Sequence, residues 1–501
     1  MSDSVDTISE AFALQYEDMR LTHDLMGGTK AMIAAGERYI PREDGEELAS
    51  WNIRLHRTVL FNVYKRTLRY LGGRVFEKPV VLGEDAEDAR YKNFVEDVDK
   101  QGHNLSVWSR HVFEEGLNDG VTFCVVDYSD VKTRRMNGAT QYQLPDGTWA
   151  DKTEAADRAN GWSPYFIHVD AGQVLDARME WRSGKPIVTH FRYQETLEQP
   201  DGEWSTGTYQ QIRAFFYDEA GRAAWQVWSN QDKNGGSAEF TLHDEGFFSI
   251  GVIPVVWFMP GEKRTPMTAE PALIDLAQLN KRHWQATSSQ YELMEFVRRP
   301  PWFGRNLGIH DADTDTGKKK IVFGPGHLCN AESDSAALQS VGIDAGSVAA
   351  GRQELQDLEN SMALYGLQLL QPKTGAITAT ESLRDAEENN STLKAWALQF
   401  QDFLENCMRL AAKWWGQEDG PSVKVNTDFA NALDASFLLE MFRAQVISAQ
   451  TFLELIKNMG ILPDDFVVDD EAAKIAGGLM VNGTGAGVSA LARMIQGGAK
   501  L

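Results

Sequence analysis

Long apolar runs are missing from this chain. No stretch of roughly eighteen uninterrupted apolar residues occurs, so the sequence predicts no membrane-spanning helix. Cysteine is scarce. Cys124, Cys329 and Cys407 lie far apart with no CxxC pair, which argues against a disulfide framework and for a reducing compartment. Positive charge is in deficit, with 49 Lys and Arg against 72 Asp and Glu, a net charge of −23. A generic nucleic-acid clamp would need a basic face instead. The opening residues, Met1 to Glu10, are polar and acidic, so no secretory signal is expected.

The short catalytic signatures are missing too. Gly317-Lys318-Lys319 lacks the hydroxyl residue with which a phosphate-binding loop holds magnesium. Gly483-Thr484-Gly485-Ala486-Gly487 has the wrong spacing for a dinucleotide turn and follows no strand. HExxH and GxSxG do not occur. Asp311-Ala312-Asp313-Thr314-Asp315-Thr316-Gly317 resembles a calcium loop, but glycine falls one place late and Val322 stands where the closing carboxylate belongs. It reads as an exposed acidic turn. No cofactor or metal is expected, and His283 reads as packed or exposed rather than catalytic.

What is present is a chain of 501 residues, long enough for about two to four domains. Hydrophobic residues make up 43% and charged residues 24%, the balance of a soluble globular protein. The stretch from Pro266 to Trp415 organises it. A first long helix is expected from Pro271 to Arg299, with Leu273, Leu276, Trp284, Thr287, Tyr291 and Met294 recurring at helical spacing. Pro300 and Pro301 end it. A second runs from Asp344 to Leu370, where Val348, Gly351, Leu355, Leu358, Met362, Tyr365 and Leu369 form a heptad stripe. A third follows the capping-box pair Thr378 and Glu381 and carries Ala386, Leu393, Ala397, Phe400, Leu404, Cys407, Ala411 and Trp414 to Gly416. Narrow stripes suit a packed pair or a ring of helices; an ordinary helical domain is the plain alternative.

Before this stretch, one helix is expected from Glu46 to Leu71, closed by Gly72-Gly73, with Trp51, Leu55, Val59, Val63 and Tyr70 buried. Arg54, Arg57, Lys65, Arg66, Arg69, Arg74 and Lys78 form a local basic patch, read as answering acidic neighbours across a subunit contact or, alternatively, as binding phosphate. A helix over 105–117 precedes a strand from Val121 to Tyr128. Further strands are expected at Tyr165–Val169, Ile187–Tyr193, Ile212–Tyr217, Trp225–Trp228 and Ile253–Phe258. Residues 301–343 read as a compact β excursion with a short strand at Ile321–Phe323, and a strand is expected at Val423–Val425. Helices are expected at Ala435–Ile447 and Ala449–Asn458, with a glycine-rich mobile tail from Gly477.

This order of elements resembles that of tailed-bacteriophage portal proteins. The local sequence is similar to one portal subgroup known only as a phage domain of unknown function. The stretches that carry the likeness are Arg54 to Thr58 with Asn62, Leu71 to Pro79, Pro271 to Ser289, Thr378 to Leu393, Thr427 to Phe429, and Ile447 to Gly460. The resemblance implies an α+β fold class, a phage portal fold with wing, helical stem, β-containing clip and α-helical crown. The wing would be 1–265, the stem 266–300 and 344–371, and the clip 301–343. The tunnel loop would be 372–377, the long wing helix and return strand 378–428, and the crown and tail 429–501.

It further implies a non-enzymatic ring of about twelve copies at one capsid vertex, since heterologous contacts close rings. Double-stranded DNA would pass through it during packaging and ejection. The partners would be the ring itself, the major capsid protein and any scaffold, a terminase motor and a head–tail adaptor, with no membrane. The virion vertex is then the location, after assembly in the host cytoplasm.

The tunnel loop Lys373, Thr374, Gly375, Ala376 and Ile377 would line the channel, and Lys281 and Arg282 are stem candidates for it. Lys373 could equally interact with the C-terminal carbonyls of the helix before it. Lys318, Lys319 and Lys320 would contact DNA or an acidic partner, or form a solvated hairpin tip. Val348, Leu355, Leu358 and Met362 would form an oligomer seam. Like charge on protein and DNA would let the duplex slide. A metal-dependent nucleic-acid enzyme and a cytosolic helical scaffold are the rival classes.

Overall fold

The computed structural model describes residues 4–300, with breaks at 87, 130–132, 137–138, 145–146, 183, 201–203 and 232–238 and at several positions in 152–159. It continues over 302–305, 345–367, 379–427, Leu453 and most of 335–342; for 131–140 and 379–391 only backbone is described. Two compact units result: Met1–Thr378 with Ala395–Asn426, and Ala379–Lys394 with Thr427–Leu501. Of the second unit, the part up to Lys394 is helical. Apart from Leu453, which is helical, the expected helices at 435–458 lie outside the described residues, as do the glycine-rich tail, the strand near Ile321 and the acidic turn at 311–317.

The chain opens with α1 (Glu10–Gly27) and α2 (Thr29–Ala35), separated by Gly28 at φ +75°. The helix expected over 46–71 is two, α3 (Leu48–Arg57) and α4 (Val63–Val75). Thr58 leaves the helical path, and its hydroxyl donates to the Arg54 carbonyl at 2.9 Å. Asn62 then caps α4 by accepting from the Lys65 amide at 2.9 Å. A side-chain oxygen at this position satisfies a backbone donor that the helix itself cannot. The break leaves Val59 exposed, contrary to its place in the stripe, and Gly72-Gly73 lie inside α4 rather than ending it. The bare Gly72 lets the Glu114 side chain lie against the helix.

After β1 (Val81–Leu82) and α5 (Ala89–Phe94), α6 (Leu105–Asp119) starts on an Asn104 cap and stops at Gly120, φ +83°. A Cβ there would meet the Glu270 carbonyl oxygen at 2.4 Å, so only glycine fits both the turn and the neighbour. Then come β2 (Thr122–Tyr128), β3 (Thr133–Met136), β4 (Ala139–Gln143), β5 (Trp149–Asp151) and β6 (Pro164–Asp170). The strands β7 (Val174–Arg182), β8 (Lys185–Pro200), β9 (Thr206–Tyr217), β10 (Ala223–Ser229) and β11 (Thr241–Phe247) form one antiparallel meander in chain order. β12 (Val255–Phe258) and β6 flank β2 in a second sheet, and β13 (Glu262–Thr265) pairs with β14 (Thr268–Glu270). The six strands expected between Val121 and Phe258 are all present. β7 and β11 were not expected: charges interrupt VLDARMEWR and TLHDEGF, so neither has an apolar run, although β7 buries Val174, Leu175 and Asp176 at its start.

Phe12, Phe123, Phe191, Phe215 and Phe248 pack between α1 and the two larger sheets in the main core. The Phe123 and Phe191 rings lie 5.2 Å apart. Three long helices follow: α7 (Ile274–Arg298), α8 (Ala345–Met362) and α9 (Ala379–Trp414). Between α7 and α8, β15 (Trp302–Arg305) pairs antiparallel with β16 (Ala337–Ser340), the two ends of the excursion closing as a hairpin base. Beyond α9, β17 (Val423–Lys424) pairs with β1.

The 395–414 part of α9 corrects the narrow-stripe reading. Ala397, Phe400, Phe403, Leu404, Cys407, Met408, Ala411 and Ala412 are all buried within the first unit. Phe400 touches the rings of Phe76, Phe113, Phe258 and Phe403 at 5.0–5.8 Å. Trp414 Nε1 donates to the Val126 carbonyl at 2.8 Å, fastening the end of the helix to β2.

Candidate functional site: the α7–α8 helix pair

α7 and α8 run antiparallel along one another. Arg282 pairs with Glu354 at 2.8 Å, and Gln290 Nε2 donates to the Val348 carbonyl at 3.3 Å. His283 Nε2 lies 3.4 Å from Glu359. At the crossing, Gly351 admits the Gln290 amide, whose oxygen would stand only 2.0 Å from a Cβ. Burial lowers the His283 pKa, opposed by Glu359, so the ring is neutral at ordinary pH. Its ring lies tilted 5.6 Å from that of Phe61, and of the two places the sequence allowed it, packed or exposed, it takes the first.

Of the four seam residues, Met362 is buried and Val348, Leu355 and Leu358 are half-buried within a single subunit. The stripe does not continue to Tyr365. Residues Ala363–Leu367 wind as a π-helical turn, and Leu364 and Tyr365 are each 62% exposed. One wider turn shifts the phase of every side chain beyond it. Lys281 is half-buried and makes no ion pair among the described residues. Arg282 is exposed but committed to Glu354.

Asn280 anchors the pair to the rest of the unit. It is fully buried, accepts from the Tyr64 amide at 2.9 Å and donates to the Phe61 carbonyl at 3.0 Å. Both partners lie at the break between α3 and α4, where backbone groups have no helical partner. The residue went unnoticed in the sequence. The available signal was a polar side chain one helical step from both Leu276 and Trp284, on the apolar stripe itself.

The basic patch also finds its acids inside the chain. Arg54 grips Glu46 with two nitrogens at 2.9 and 2.6 Å, and Arg57 lies 3.5 Å from Glu295. Lys65 Nζ donates to the Met26 carbonyl, and Arg74 lies 3.4 Å from Glu77. The expected contact with acidic neighbours is thus at least partly intramolecular. Between α3 and the end of α7 lies a cleft of about 270 Å³ lined by Ile53, Arg54, Arg57, Tyr291, Glu292 and Phe296.

Sequence reading also missed a buried polar network under α1. Asp119 is completely buried and accepts from His23 Nε2 and Asn118 Nδ2, each at 2.8 Å. Tyr64 Oη donates to Asn118, and the Asp119 carbonyl accepts from Gln15 Nε2. Burial alone would lower the His23 pKa, but the hydrogen bond to Asp119, with the charges of Asp119, Glu115 and Asp170, raises it to about 9. Burial raises Asp119 as well, and raises nearby Glu115 to about 7. The His23–Asp119 pair therefore holds its proton tightly.

Lys373, Thr374, Gly375, Ala376, Ile377, Lys318, Lys319, Lys320 and the Thr378 cap lie outside the described residues. Among the described residues no histidine, cysteine and carboxylate group is arranged to hold a metal ion, and no helix is long and apolar enough to cross a membrane.

Residues 272–415 match a family described as a domain of unknown function, DUF4055. The match opens just before α7 and closes just after α9. None of the curated proteins matches the chain. Among solved structures, a chain in the neck of an empty GTA particle computed with C6 symmetry aligns over 78% of this chain and 89% of its own, at 8% identity and a TM-score of 0.37. A chain in the virion of a native gene transfer agent particle aligns over 86% and 98%, at 8% identity and the same TM-score of 0.37. One in the neck of a native GTA particle computed with C12 symmetry aligns over 78% and 89%, at 9% identity and 0.35. At these scores the likenesses carry no argument about function.

Proposed function

We propose that the chain is a portal protein, a structural and non-enzymatic subunit of a closed ring at one capsid vertex of a tailed phage. Double-stranded DNA passes through the ring during packaging and ejection. A terminase motor and a head–tail adaptor dock on it, and the major capsid protein surrounds it. The observation that supports this reading most is the order and pairing of 274–414: two long antiparallel helices, a hairpin base between their far ends, and a third long helix that returns into the α+β core. In that arrangement α7 and α8 are the stem, 301–343 the clip, 372–377 the tunnel loop and 429–501 the crown.

The charge balance supports it as well. Many net-negative copies of a −23 chain around a channel would keep phosphates from adhering to its wall. A few cations would suffice to centre the duplex. Lys281 is the better stem candidate because Arg282 is spent on Glu354. Lys373, in the short loop, would touch passing DNA briefly, as a flexible ammonium does. Lys318, Lys319 and Lys320 would meet DNA or an acidic partner at the clip.

Mass photometry of the full-length 56.0 kDa protein tests the reading. The expected species is a ring near 0.7 MDa, roughly twelve copies. A monomer or dimer at every concentration and salt would overturn it. Lys373→Glu should then leave ring mass unchanged and lower the yield of DNA-filled heads; unchanged DNA retention would remove the lysine from the mechanism.

A further inference from the structure

Two of the three cysteines face each other in the best-packed part of the molecule. Cys124 and Cys407 are free thiols, both with no solvent exposure. On β2, Phe123 and Val125 point into the main core, so by strand alternation Cys124 points to the other face with Thr122 and Val126. The 395–414 helix lies along that face. Its Trp414 indole reaches the Val126 carbonyl, and Cys407 sits two helical turns earlier on the same side. There the Cys407 thiol lies close enough to Cys124 for that side chain to act on it.

Burial pushes the Cys407 thiol well above its ordinary pKa, so it is neither a ready nucleophile nor a metal ligand in the closed structure. What remains open to two neighbouring thiols is joint oxidation to a disulfide by an external oxidant.

We propose that Cys124 and Cys407 are a latent disulfide, closed by a low-molecular-weight disulfide and stapling α9 to β2. During local opening, one cysteine thiolate attacks the small disulfide, forming a mixed disulfide and releasing one small thiol. The second cysteine then displaces the other small thiol as the Cys124–Cys407 bond forms. The two cysteine sulfurs give up two electrons and two protons, and the small disulfide is reduced to two thiols. The bond closes a loop holding most of the chain, and loops of that size restrict the unfolded state strongly. Once sealed under α9, it is shielded from reductant.

The test is direct. Full-length protein is warmed to just below its melting temperature with oxidised glutathione, then denatured, alkylated and peptide-mapped. Untreated protein should alkylate at all three cysteines. Treated protein should alkylate at Cys329 alone, with the Cys124 and Cys407 peptides joined and the melting temperature raised. Free Cys124 and Cys407 after treatment, glutathione on either without pairing, or a bond to Cys329 would each overturn the proposal. Cys407→Ser places a hydroxyl in the core and weakens folding through packing alone, so Cys329→Ser serves as the companion variant. It leaves the pair intact and should lose every free thiol on oxidation.

Discussion

Residues 395–414 of α9 and residues 345–362 of α8 are single helices that each lie against neighbours of their own unit, yet they are held differently. The α9 segment buries aromatic and small apolar side chains on a broad face, with Phe400 at the centre of four other rings. Among its described residues α8 fully buries only Met362, and it meets α7 through an ion pair, a glutamine and half-buried leucines. The difference teaches what fastens a helix. Dispersion and burial scale with the number of partner atoms on every side, whereas polar contacts at a rim return most of their energy to water. The first helix belongs to the core. The second lies at the surface of its own unit.

Phe400→Ala should break the comparison most severely. It opens a cavity among Phe76, Phe113, Phe258 and Phe403, and such truncations cost about 3–5 kcal/mol. Urea unfolding should show a large fall in midpoint. A loss under about 1 kcal/mol would mean that this core is no tighter than the stem.

The same glycine substitution should then have different outcomes in the two regions. At Gly116, a Cβ would lie 2.5 Å from the Phe258 ring, which its neighbours hold in place. Gly116→Ala should cost about 1–3 kcal/mol through overpacking. At Gly351, the Cβ meets only the far end of Gln290, which can swing aside. Gly351→Ala trades one amide contact for the roughly 1 kcal/mol by which alanine favours a helix interior, so stability should hardly change. Equal losses at both sites would erase the distinction.

α1 offers a case between the two, because polar groups fasten it beneath its surface. His23 has its pKa raised to about 9 in the fold, against an ordinary value near 6.5. A raised cationic pKa stabilises fully below the unfolded value and is lost as pH rises through the folded one. The contribution of His23 should therefore be intact up to about pH 6.5, fall as pH rises from there towards 9, and be gone above it. The His23 side chain is 44% exposed, so solvent screening limits the loss to about 1–2 kcal/mol. His23→Ala should flatten that part of the profile. A wild-type curve level from pH 6 to 10 would remove the pair from the account.

The smallest effect is expected at Arg282→Ala. Arg282 and Glu354 are 60% and 47% exposed, and such pairs contribute under about 1 kcal/mol. Chemical denaturation in low and high salt measures it. A loss above about 2 kcal/mol would show α8 to be held as firmly as the core helix.

The three long helices and the six apolar strands between Val121 and Phe258 were legible in the sequence from their apolar patterning. The break at 58–62 was not, since Val59 keeps the stripe going while Thr58 and Asn62 quietly end one helix and cap the next. β7 and β11 hid behind their charges. On α8, Val348, Leu355 and Leu358 are half-buried within a single subunit, and periodicity cannot say whose helix lies opposite them in an assembly. Tyr365 was misplaced because no sequence pattern announces a π turn. Cys124 and Cys407 looked unrelated at their distance along the chain; only the packing of α9 on β2 brings them together.

Asn280 has a consequence for how this gene can change. Its one amide serves two backbone groups near 58–62, a fit in which aspartate would lose the donor and glutamine would be a methylene too long. A descendant that lengthens or shortens the 58–62 bend cannot keep asparagine at 280 to any purpose, and one that replaces Asn280 must rebuild the bend. Across relatives, the two places should therefore vary together or not at all, although more than two hundred positions of chain separate them.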